Sequence, residues 1–100
     1  MSTEETLSVD QNMVILRAKS DSNVKELSSA IVAVVSEYYT KKIEIRAMGA
    51  SSVNQALKAF IVAKTKVVAH GKNLLMDPYF LDVGEGEEKR TVICLRILIN

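Results

Sequence analysis

One hundred residues, 48% apolar and 25% charged with a formal net charge of +1, describe one globular domain and exclude a disordered or fibrous chain. The longest apolar runs, Ala30 to Val35 and Ala59 to Ala63, fall far short of the roughly 18 residues that a membrane span needs. Cys94 stands alone, which excludes an internal disulfide and a cysteine-clustered zinc site; the opening Met1-Ser-Thr-Glu-Glu lacks the pattern of a secretory signal, so the expected location is the cytoplasm.

Residues 1 to 11 are polar and unpatterned, and are expected to form a flexible acidic tail outside a single domain spanning 12 to 100. Met13 to Lys19 then alternates, with Val14, Leu16 and Ala18 on one side and Ile15, Arg17 and Lys19 on the other, as a half-buried strand does. Ser20-Asp-Ser-Asn turns the chain. Asn23 with Glu26 three residues on forms a helix-capping pair, and Val24, Leu27, Ile31, Val34, Val35 and Tyr38 follow at helical spacing.

A second strand is predicted where Ile43, Ile45 and Ala47 alternate with Glu44 and Arg46. Gly49-Ala-Ser-Ser ends it, and Ser52 with Gln55 suggests the cap of a second helix whose core stripe is Val53, Ala56, Leu57, Phe60 and Ile61. Lys64 returns to that stripe, so the helix is expected to end near it. Leu74 to Val83 and Thr91 to Ile99 read as a hairpin around Gly84-Glu-Gly-Glu-Glu-Lys-Arg. Pro78 lacks an N–H and assigns the first of these strands to the sheet margin.

The fold class is therefore α+β, a two-layer βαβαββ arrangement with both helices on one face of a four-stranded mixed sheet. The helix-free face is expected to display Ile15, Arg17, Glu44, Arg46, Val92, Cys94, Arg96 and Leu98. Charge is unevenly spread, since nothing from Ile45 through Met76 is acidic while Arg46, Lys58, Lys64, Lys66 and Lys72 are basic. Such a stretch suits an anionic partner.

Four segments, Arg17-Ala-Lys-Ser, Ile45-Arg-Ala-Met-Gly-Ala, Asn54-Gln-Ala-Leu-Lys-Ala and Glu88-Lys-Arg-Thr, occur in an order that resembles the bacterial stage V sporulation protein S family over about residues 13 to 99. That family in turn resembles the Alba superfamily of small α+β nucleic-acid-binding proteins. The resemblance implies the same element order, the strand order 1-2-4-3, dimer formation and a regulatory role in sporulation. Alba proteins typically carry paired lysines after the first strand and a basic hairpin tip. Here Lys19 stands alone, and Glu85, Glu87 and Glu88 precede Lys89 and Arg90.

The two strand-to-helix turns place both helix N-termini at one sheet edge, where free amides and the helix dipole attract anions. Lys19, Ser20, Gly49, Ser51 and Ser52 surround that edge, and Asn54, Gln55 and Lys58 extend it along the second helix. Arg17, Arg46 and Arg96 share the helix-free face with Glu44 as the one acid of the first two strands, and are expected either to spread into solvent or to take an outside anion, a nucleic-acid backbone or an acidic segment such as the tail's Glu4, Glu5 and Asp10. Catalysis has little support: His70 is the sole histidine, Cys94 has no sequence-near base, and the phosphate-loop and dinucleotide fingerprints are missing. Tyr38 and Tyr39 are expected to pack rather than stack on bases.

The resulting expectation is a non-enzymatic, cytoplasmic regulator that binds DNA or RNA with weak sequence specificity, without metal, cofactor, membrane or small-molecule substrate. Homodimerisation is expected through apolar groups of the helix-free face together with Ala59 and Val62 of the second helix. The alternative is a protein-interaction adaptor whose lysines serve solubility.

Overall fold

The computed structural model describes residues 7–9 and 12–100. Its elements are β1 (Leu7–Val9), β2 (Met13–Ala18), α1 (Val24–Glu37), β3 (Lys42–Ala47), α2 (Ala50–Val68), β4 (Leu74–Val83), a 3-10 turn at Gly86–Glu88, and β5 (Arg90–Ile99). They build a five-stranded sheet of order β1-β2-β3-β5-β4. Its last four strands carry the predicted 1-2-4-3 order, with β2 and β3 parallel and the other pairs antiparallel. The fifth strand corrects the expectation of four.

Leu7–Val9 runs antiparallel to β2, from Leu7 opposite Leu16 to Val9 opposite Val14. Three residues are too few for alternation to show in a sequence, but Leu7 packs against the core and the strand covers the outer edge of β2. The expected tail therefore joins the sheet at these positions. Glu4, Glu5 and Asp10 lie outside the described residues.

The core lies between the sheet and the two helices. Val14, Leu16, Ile43, Ile45, Leu95 and Ile97 supply the sheet side, and Leu27, Ile31, Val34 and Val35 the α1 side. The Asn23 cap is formed as expected, with its Oδ1 accepting from the Glu26 N–H at 3.0 Å. β4 lies at the margin of the sheet and β5 inside it, as Pro78 required.

Helix α2 departs from its sequence reading in three ways. Its cap is Gly49, at φ 88° and without a side-chain cap bond, rather than Ser52; only glycine holds that conformation without strain. The helix continues past Lys64 to Val68. Its inward stripe is Ser52, Ala56, Ala59, Phe60, Ala63 and Val67, whereas Leu57 and Ile61 point to solvent, Ile61 with 62% exposure. Small alanines let the helix approach the neighbouring layer closely, so its rotation follows shape rather than the largest apolar residues. Ala59, expected outside, is fully buried; Val62 is exposed as expected.

Candidate nucleic-acid interface

The parallel crossover places the ends of β2 and β3 side by side, with Arg17 directly opposite Arg46 and Ala18 opposite Ala47. Alternation turns both arginines to the helix-free face. Lys19 follows β2 immediately, and the turn behind it is tied down by the Ser22 hydroxyl, which accepts from the Lys19 N–H at 2.8 Å. Ser22 is buried, and its carbonyl accepts from Gln55 Nε2 at 2.7 Å, fastening this turn to α2.

Arg17, Lys19 and Arg46 line a single cavity of about 330 Å³, completed by Ala18, Ala47, Met48, Val83 and Val92. The three cations differ in their commitments. Arg46 donates from Nε to Glu44 Oε1 at 2.8 Å, and its Nη2 lies 2.7 Å from the same oxygen in an ion pair. Arg17 donates to the Ser8 hydroxyl of β1 at 2.7 Å, a neutral partner. Lys19 forms no ion pair among the described residues.

Beneath Arg46 lies a polar network in which sequence reading expected Glu44 to serve the arginines but missed Tyr79. Glu44 is 1% exposed, and its second oxygen accepts from the Tyr79 hydroxyl on β4. Both carboxylate oxygens are thus satisfied, as a buried charge requires. Burial works against the Arg46 charge, but the hydrogen bond and charge of Glu44 outweigh it and hold the guanidinium above its ordinary pKa. Burial, then the bond to Glu44, pushes the Tyr79 hydroxyl up to about 12. Cys94 is fully buried, and that burial raises its thiol.

Arg96 sits 5.1 Å from the Tyr79 ring centroid in a cation–π contact, with its Nε buried and unpartnered. Arg17 and Arg46 come together, and Arg96 stands apart from their cavity on the tyrosine. The helix-free face is consequently less open than expected, since Glu44, Cys94 and Val92 are all buried.

The expected helix-terminal site is partly assembled. Gly49 and Asn54 line a second cavity of about 530 Å³ with Leu57, Phe80, Thr91 and Ile93. Ser20, Ser51 and Lys58 are exposed near the predicted edge. Two residues must be reassigned. Ser52 is buried in the third position of α2, and Gln55 spends its amide on Ser22, so both hold the fold. Tyr38 packs as expected, but Tyr39 is exposed beneath Lys72, whose Nζ lies 5.6 Å from the ring centroid.

A two-layer α+β domain with a cationic cavity beside the ends of its parallel strands is the class defined by this geometry. The family model of Stage V sporulation protein S (SpoVS) matches residues 14–100, and the chain belongs to that family, which ties it to sporulation. The match begins inside β2, so strand β1 lies outside it.

Proposed function

We propose that the protein is a non-enzymatic regulator that binds nucleic acid through the strand-end cations, working as a homodimer in the cytoplasm. The observation that carries this reading is the grouping of Arg17, Lys19 and Arg46 around one cavity, with Glu44 neutralising Arg46 alone. Gly49 adds the uncapped N-terminus of a 19-residue helix whose first turn holds no acid. The order β-α-β-α-β-β from β2 onward is compatible with an Alba-like domain.

Contacts of this kind engage phosphate and ribose rather than base edges, so sequence specificity is weak and DNA and RNA are both candidate ligands. The dimer is expected to use the exposed apolar groups of α2 and β4, Leu57, Ile61 and Phe80, rather than Ala59. A reducing compartment suits the unpaired Cys94.

Titrating a labelled duplex with the protein across salt concentrations tests the reading. Affinity is expected to fall steeply with salt, and Lys19→Glu with Lys58→Glu to weaken binding and flatten the slope by about 0.9 for each phosphate no longer neutralised. Binding absent at low salt would overturn it in favour of the adaptor alternative.

A further inference from the structure

The cationic cavity has features that a site for continuous nucleic-acid backbone does not require. Of its three cations, Arg46 is already met by Glu44, whereas Arg17 and Lys19 face it without a carboxylate partner among the described residues. Two uncompensated charges match a phosphomonoester, which carries about −1.5 to −2 near neutral pH, better than a singly charged phosphodiester. The rest of the lining is apolar, and Met48, Val83 and Val92 within it suit the flat face of a heterocycle. A volume of about 330 Å³ falls within the range of small-molecule sites, roughly 300–1,000 Å³.

Location adds a further constraint. The cavity stands at the carboxyl ends of the parallel strands, where open sheets commonly receive ligands. Val83 is also the last residue of β4, and the chain beyond it carries Glu85, Glu87 and Glu88, all exposed. A polyanion continuing in that direction meets three carboxylates against Lys89, which is paired with Asp82, and Arg90, whereas a ligand that ends in the cavity does not.

We infer that the cavity binds a nucleotide through a terminal phosphate, with the phosphomonoester on Arg17 and Lys19, Arg46 at its side, and the base against Met48, Val83 and Val92. The nucleotide is either free or the end of a strand. This deepens the nucleic-acid reading by naming its ligand, and it departs from the sequence-based expectation that no small molecule is bound.

The test uses the full chain at low salt and fluorescence anisotropy of one short oligonucleotide, phosphorylated at its 5′ end, at its 3′ end, or at neither. Adenosine monophosphate and adenosine serve as competitors, and calorimetry measures their direct binding. A terminal phosphate is expected to tighten binding about tenfold, the scale of one charge-assisted hydrogen bond. The monophosphate should compete and adenosine should not. Arg17→Gln with Lys19→Gln, both exposed positions, should erase the preference without shifting the thermal melt.

Equal affinity for all three oligonucleotides, or a preference that survives the double variant, would overturn the inference while leaving nucleic-acid binding intact. Calorimetric binding of the monophosphate without binding of any oligonucleotide would support the cavity, assign it to a free nucleotide and remove the nucleic-acid reading. No binding of either kind would overturn both.

Discussion

The helix-free face of the sheet and the outer face of α2 are two surfaces that the layered fold leaves uncovered, and they solve exposure in opposite ways. The first gathers charge and compensates part of it internally: Glu44 is buried under Arg46 and Tyr79, Arg96 lies on the Tyr79 ring, and Arg17 and Lys19 reach the cavity without a carboxylate partner among the described residues. The second leaves large apolar side chains in the open between Lys58 and Thr65, with Ile61 62% and Phe80 of β4 76% exposed. Charged side chains tolerate water, whereas a group of large apolar side chains gains by being covered. The contrast divides labour: the sheet face is suited to an anion, the helix face to another protein surface.

The largest effect expected from breaking this arrangement lies within the sheet face itself. Arg46 and Arg17 are direct register partners, yet only Arg46 holds a buried carboxylate. Arg46→Ala leaves Glu44 with Tyr79 as its remaining partner and is expected to cost about 2–4 kcal/mol in urea denaturation. Arg17→Ala should stay within about 0.5 kcal/mol, because it removes an exposed bond to a serine. Similar destabilisation by both would show that the network does not distinguish the two arginines.

On the helix face, Ile61→Glu with Phe80→Ser should turn a dimer into a monomer in sedimentation equilibrium while leaving the denaturation midpoint nearly unchanged, since both side chains are outside the core. A wild-type monomer at high micromolar concentration would remove the apolar patch as a self-association surface.

A smaller effect concerns the acidic residues before β1. Leu7 pairs with Leu16, so the chain enters the sheet one position from Arg17. Deleting residues 1–6 keeps β1 and removes Glu4 and Glu5. We propose that this tightens nucleic-acid binding up to about fivefold at low salt, the range of exposed ion pairs, and that Arg17→Gln with Lys19→Gln cancels the gain. Unchanged affinity would dismiss screening by these carboxylates.

Most of the fold was legible because it rests on local periodicity. The alternation of Val14, Leu16 and Ala18 and of Ile43, Ile45 and Ala47 marked the inner strands, Asn23 with Glu26 marked the start of α1, and Pro78 marked the edge. What escaped depends on shape or on distant partners. The rotation of α2 turns on close approach by alanines, which a count of large apolar residues misses. Burial of Glu44 depends on Tyr79, 35 residues away. Alternation placed Arg17 and Arg46 on one face, but not the difference between them, which arises because Glu44 meets one arginine and Ser8 the other.

The smallest expected effect appears only in alkali. Burial and then the bond to Glu44 raise the Tyr79 hydroxyl from 10.0 to about 12, so the folded state favours the protonated phenol. Its contribution to stability is complete below pH 10 and is lost as pH climbs toward 12, because the unfolded chain releases this proton more easily. Deprotonation would also set a phenolate against the Glu44 carboxylate. An ultraviolet titration should therefore show a tyrosine ionising late, and Tyr79→Phe should remove that step together with the decline in stability between pH 10 and 12. A late step that persists in Tyr79→Phe would belong to another tyrosine, and the hydroxyl of Tyr79 would no longer be the group that closes the network over Glu44.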